Sequence, residues 1–186
     1  MAVSAGYESM GVSANEEAVR RLNESSREQI VDALLACCGS LKWVQRMVLA
    51  RPFADVQDLL SAADRVWWEL RAEDWLEAFA HHPRIGERQA ARDQSPQAAQ
   101  WSEAEQAASR RAADATLEAL AQANRDYEGR FGYTFIVCAT GKSAAEILAT
   151  CRDRLGHNAD EELRVAAEEQ RRITHLRLQK LLGETP

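Results

Sequence analysis

The sequence predicts an all-α fold, a single compact helical domain with one short extended segment near residues 133–139. Three observations predict it. Ala, Glu, Arg, Leu and Gln dominate, while 186 residues include only four prolines and nine glycines, a balance that favours helix. Apolar residues recur at helical spacing through most of the chain. FGYTFIVCAT, residues 131 to 140, is the one stretch rich in aromatic and β-branched side chains, and it has no convincing second strand to pair with.

The elements follow in order. Residues 1–20 lack apolar periodicity and predict a flexible N-terminal segment ahead of a domain covering 21–183. From Ser26, the positions Ile30, Leu34, Leu35 and Cys38 have helical spacing, and Gly39 stops the pattern. A second helix carries Trp43, Val44, Met47 and Val48 and ends at Arg51-Pro52; a third begins near Asp55 with Val56, Leu59 and Leu60. The next spans Ala72 to His81 and should bury Trp75, Leu76 and Phe79. Residues 84–100 are polar and read as a long connection, a feature often functional in compact domains. Helix resumes at Ser102 and runs to about Arg130 through Leu117, Leu120 and Tyr127. Ser143 with Glu146 forms a capping-box pair that opens another helix, and a final helix spans about Asp160 to Leu182.

Composition excludes some functions. A net charge of −6, with arginines scattered among carboxylates, argues against a nucleic-acid partner, which needs a concentrated basic face. No apolar run approaches a membrane span and no secretory pattern opens the chain, so no membrane partner and a cytoplasmic location are expected. Cys37, Cys38, Cys138 and Cys151 form no CxxC pair and read as reduced thiols in helices and core.

Four short motifs could carry chemistry. In His81-His82-Pro83, proline pushes His82 out of the α region, so the helix should end there. The negative end of the helix dipole would favour the protonated ring, at the mouth of the following loop. So placed, His82 either caps carbonyls or moves a proton near neutral pH; His81 reads as a half-buried surface residue. Ser102 and Glu105 fit a capping box, whose helix N-terminus could also meet an anionic or amide-bearing ligand, with Glu105 orienting an imidazole. In Phe135-Ile136-Val137-Cys138-Ala139, extended peptide groups need partners in a helical protein, either a ligand with amide or urea edges or neighbouring helix ends and water. Arg177 shares a stripe with Ile173 and Leu181 and wants an anionic partner, a protein carboxylate or a substrate carboxylate.

HHPRIGE, SEAEQ, FGYTFIVCATGKSAAEIL, RLGHNADEEL and ITHLRLQKLL resemble, in that order, the 2-oxo-4-hydroxy-4-carboxy-5-ureidoimidazoline (OHCU) decarboxylases of uric acid degradation. The resemblance runs from about residue 22 to 182. It implies an all-helical homodimer that converts the small-molecule substrate OHCU to (S)-allantoin with loss of CO2, with no metal and no organic cofactor. It also implies that His82 is the catalytic histidine and that Pro83 shapes the pocket. Ser102, Glu105 and Gln106 would bind substrate, with Glu105 close to the histidine. Phe135, Ile136, Val137, Cys138, Ala139 and Thr140 would contact substrate through the backbone. Arg177 would be the C-terminal arginine that anchors charge, with Arg154 as its rival. Where the family often has Asp-Leu after His-Pro, this chain has Arg84-Ile85, which adds a positive charge near the pocket. The alternative to an enzyme is a helical binding module, in which residues 84–100 are a linker and His82 is a cap.

Overall fold

The computed structural model describes residues 14–83 and 103–183, with side chains described from residue 114 in the second stretch. Eight helices occupy the described residues: α1 (Ala14–Glu24), α2 (Arg27–Cys37), α3 (Leu41–Leu49), α4 (Val56–Trp68), α5 (Ala72–Ala80), α6 (Glu103–Phe131), α7 (Ala144–Arg154) and α8 (Ala159–Leu181). No strand is present among them.

Short polar side chains set the starts of several helices by accepting backbone N–H groups that have no intrahelical partner. Ser26 and Gln29 form a reciprocal capping box on α2, and Ser143 and Glu146 form the same device on α7. Ser40, Asp55 and Asn158 cap α3, α4 and α8.

One departure from expectation lies at the N-terminus. Helix α1 begins at Ala14 and buries Ala18, Val19 and Leu22, so residues 14–20 belong to the packed body rather than to a flexible segment. Its apolar stripe is three residues long, two of them small, and it stands among five charged ones, so periodicity alone is weak there. Residues 1–13 lie outside the described residues.

Two apolar clusters form the interior. The larger joins α1–α5 to α8 around Trp43, Met47, Leu59, Trp67 and Phe79; the smaller joins α6 to α7 around Leu120, Tyr127, Ile147 and Cys151. The two buried indoles of the larger cluster keep their N–H groups satisfied on carbonyls, Trp43 on Ala63 at 3.2 Å and Trp67 on Ala167 at 3.0 Å. The extended segment is the seam between the clusters. Phe135 and Val137 enter the smaller cluster and Ile136 enters the larger, the two-residue alternation of extended chain. This explains why three consecutive apolar residues are needed without a sheet to cover: both sides of the segment are interior.

Helix α8 packs on α2, α4 and α5. It therefore brings residues from the end of the chain against the C-terminal end of α5, where the two adjacent histidines stand. No described helix is long and apolar enough to cross a membrane.

Candidate active site

Helix α5 ends at Ala80, and the N–H groups of His81 and His82 still reach back to Ala78 and Phe79. Past that turn the two imidazoles diverge. His81 places Nδ1 3.0 Å from the carbonyl of Glu77 and packs its ring on Gly39. A Cβ at Gly39 would lie 2.4 Å from His81 Cγ, so glycine is required there by close approach. His82 instead lines a cleft of about 640 Å³ with Leu76, Ala80, Glu128, Gly132, Tyr133 and Thr134. Leu76, expected in the core, is 38% exposed because it stands on this wall. Gly132, with φ of 79°, turns the chain out of α6 so that Tyr133 and Thr134 reach the same wall.

Burial holds the His82 imidazole well below its ordinary value, at about 4. The positive charge of Arg177 pushes the same way, the polar side chain of Gln170 opposes it, and His81 adds a smaller depression. The helix-dipole expectation of a protonated ring is thus reversed. A helix end contributes about 1 kcal/mol at a partly exposed site, less than desolvation beside a guanidinium. At neutral pH the His82 ring is uncharged.

Arg177, Thr174 and Gln170 follow one face of α8 at seven-, four- and zero-residue offsets. Arg177 pairs with no carboxylate among the described residues. Its Nη1 donates to the carbonyl oxygens of Cys37 at 3.2 Å and Ala36 at 3.5 Å, the exposed negative end of α2. Nη2 and Nε make no hydrogen bond among the described residues. The rival Arg154 is otherwise engaged. It is 4% exposed, bonds Glu162 through Nε at 2.9 Å and Nη2 at 2.5 Å, and donates Nη1 to the Ile136 carbonyl at 2.8 Å. Its guanidinium lies 4.7 Å from the Phe135 ring centroid. Tyr127 and His157 complete the ligation of Glu162. Arg154 holds the seam in place.

The peptide groups of the seam find protein partners as well as the Ile136 contact. Asn124 accepts from Phe135 N at 3.3 Å, Glu169 accepts from Cys138 N at 2.7 Å, and Lys142 donates to the Cys138 carbonyl at 2.7 Å. The side chains of Phe135, Ile136 and Val137 are buried, those of Cys138 and Ala139 are half-buried, and Thr140 is exposed in a turn. None of the six lines the cleft beside His82. The residues that do, Tyr133 and Thr134, immediately precede them and were not singled out by sequence reasoning; the one signal available was Gly132 just ahead. Pro83 follows His82 and is exposed. Ser102 and Arg84 lie outside the described residues, and so do the side chains of Glu105 and Gln106, although both positions belong to α6.

Three buried side-chain polar atoms among the described residues lack a hydrogen-bond partner: Tyr133 Oη, Thr134 Oγ1 and Gln170 Oε1. Two belong to residues of the cleft wall and the third to the residue acting on His82. Such atoms cost about 1–3 kcal/mol each when left unpaired, so their concentration here makes this wall a candidate site.

A helical domain that presents a neutral, half-buried histidine on a cleft wall, with a guanidinium acting on it, has the equipment of acid–base chemistry on a small molecule. The particular lineage is equally plain: the family model described as OHCU decarboxylase matches residues 23–179, and the chain belongs to that family. It is 33% identical over 154 residues to the uric acid degradation bifunctional protein TTL of Arabidopsis thaliana, a match covering 82% of this chain and 47% of that protein. The chain thus spans about half the length of the plant protein. It is 28% identical to a 2-oxo-4-hydroxy-4-carboxy-5-ureidoimidazoline decarboxylase of Halalkalicoccus jeotgali over 88% of this chain and 90% of the relative. The crystal structure of an OHCU decarboxylase in the presence of (S)-allantoin superposes with a TM-score of 0.64 at 32% identity, over 82% of this chain and 99% of the other.

Proposed function

We propose that this chain catalyses the cofactor-independent decarboxylation of OHCU to (S)-allantoin in uric acid degradation. The observation that carries the reading is the neutral His82 on the cleft wall, under the charge of Arg177, in a chain whose family match spans both residues. OHCU bears a carboxylate and a hydroxyl on one ring carbon, next to an imine carbon that carries the ureido group. When the C–C bond to the carboxylate breaks, its electron pair moves into the neighbouring C=N, so the substrate is its own electron sink. The imine nitrogen takes up the one proton consumed overall, and the resulting enol is protonated at the ureido-bearing carbon as its hydroxyl proton leaves and the ring carbonyl forms. The protein must hold the ring, orient the carboxylate and deliver the proton to a single face, which sets the S configuration.

A histidine that starts neutral acts as a base before it acts as an acid. His82 accepts the substrate hydroxyl proton, and the imidazolium so formed returns a proton to carbon. The bound carboxylate assists by offsetting the Arg177 charge that depresses the ring in the empty site. Arg177, held through Nη1 on α2, keeps Nη2 and Nε for that carboxylate. Glu105 orients the imidazole, and Pro83, Ser102 and Gln106 contribute to substrate binding by their likeness to the family pattern, while Tyr133 and Thr134 stand on the cleft wall in place of 135–140. A homodimer and a cytoplasmic location belong to the same reading, supported by exposed Leu49 and Trp68 and by four free cysteines.

The test follows freshly generated OHCU by ultraviolet absorbance and circular dichroism with wild type and His82→Gln side by side. Accelerated decay with an (S)-allantoin signal, lost in the folded variant, supports the reading. Wild type equal to the buffer blank overturns it and favours a binding module.

A further inference from the structure

Gln170 stands at the centre of α8 with its side chain fully buried. Its amide is oriented by a local clamp: Nε2 donates to Thr174 Oγ1 at 3.1 Å, while the Thr174 hydroxyl donates to the Gln170 carbonyl at 3.0 Å. With its nitrogen so engaged, the amide must present Oε1 outward from the clamp, and that oxygen has no hydrogen-bond partner. The imidazole of His82, brought over α8 by the end of α5, is the group on which this side chain acts. Among the described residues, the other charged or titratable groups acting on that ring are Arg177 from α8 and His81 from the turn that ends α5.

An amide oxygen only accepts. Beside a neutral imidazole it selects the tautomer whose N–H points at it, and the second ring nitrogen is then left with its lone pair. We propose that Gln170 is a positioning residue for His82: its Oε1 takes the N–H on the α8 side of the ring and turns the unprotonated nitrogen to the cleft. The inference deepens the proposed function, because that nitrogen is the base the first proton transfer requires. It also accounts for why a fully buried amide carries an unsatisfied oxygen: the imidazole closes onto it when the ring takes its reactive orientation. The free electron pair on the cleft side exists only while Gln170 holds the other side.

The test joins one measurement that needs no substrate to one that does. Ring 15N shifts and two-bond 1H–15N couplings of His82 report which nitrogen carries the proton. Wild type should show a single tautomer, and Gln170→Met a mixture. Steady-state kinetics on OHCU should show kcat falling by roughly tenfold to a hundredfold in Gln170→Met, part of the 10² to 10⁴ that proton transfer supplies, with KM changed by no more than about threefold. Gln170→Glu keeps the acceptor and adds a charge, so it should restore the single tautomer, raise the His82 pKa and move the acid limb of the pH–rate profile upward. If Gln170→Met does not fold, Thr174→Val, which releases the amide, carries the tautomer measurement. An unchanged tautomer with unchanged kcat overturns the inference while the decarboxylase reading stands. A tautomer shift in a protein inert toward OHCU overturns the decarboxylase reading and leaves the positioning role intact.

Discussion

The guanidinium of Arg177 closes the C-terminal end of α2 through the carbonyls of Ala36 and Cys37, and the same charge depresses the His82 imidazole. One side chain thus ties the end of the chain to an early helix and adds to the burial that keeps the cleft histidine neutral. Arg177→Gln should raise the His82 pKa from about 4 toward its ordinary value, read by histidine NMR titration. It should also destabilise the fold by about 1–2 kcal/mol through loss of the charged contacts at the α2 terminus. In the proposed reaction the variant should raise KM and lower kcat together, since its charge meets the substrate carboxylate.

The pH dependence of stability has a definite sign. Folded His82 binds its proton near pH 4, whereas the unfolded chain binds it near the ordinary value of about 6.5. Between those limits the unfolded state holds more protons, so stability is greatest above about pH 6.5 and falls as pH drops toward 4. The contribution is about 3 kcal/mol at most. Urea denaturation of wild type and His82→Gln at several pH values isolates it: on acidification from about pH 6.5 toward 4, wild type should lose stability relative to the variant.

The same depressed value predicts the shape of the rate profile. After subtraction of spontaneous decay, kcat/KM for OHCU should stay level down to roughly pH 5, because the free enzyme loses its base only near its own pKa. An acid limb centred near an ordinary histidine value would contradict a buried His82 beside Arg177.

Arg154 gives the opposite kind of prediction. It is buried against Glu162 and holds the Ile136 carbonyl. Arg154→Met leaves Glu162 without its guanidinium and should cost about 3–5 kcal/mol. That corresponds to a fall in Tm of roughly 10 °C, measured by circular dichroism or calorimetry. Any loss of activity should follow loss of folded protein, which separates this arginine from Arg177.

Gly39→Ala tests the packing beneath the histidine pair. The new Cβ would strike the His81 ring, and overpacking of this kind costs about 1–3 kcal/mol. Because His82 is the next residue, the displaced ring should also disturb the cleft. A lowered Tm with a lowered kcat is expected, and no change in either would show that His81 moves aside freely.

Much of the architecture was legible in the chain because its signals are local. Ser26, Ser143 and Glu146 mark helix starts through bonds three residues away, and His82-Pro83 stops α5 by steric exclusion between neighbours. The ordered motifs likewise pointed to the family that the match over 23–179 shows. Helix α1 was missed because its short apolar stripe gains meaning only from the helix it packs on, α4.

What the sequence by itself determined is therefore the helical class, most boundaries, the family and the identity of His82 as the residue to watch. These depend on short-range sterics, capping and ordered motifs. Tertiary structure alone decided that His82 is neutral, that Arg177 rests on α2, that Arg154 belongs to the seam, and that Tyr133 and Thr134 reach the cleft wall. Desolvation and charge pairing depend on which surfaces meet, and residues 82, 154, 170 and 177 meet their partners only when α8 folds back over the helices that precede it.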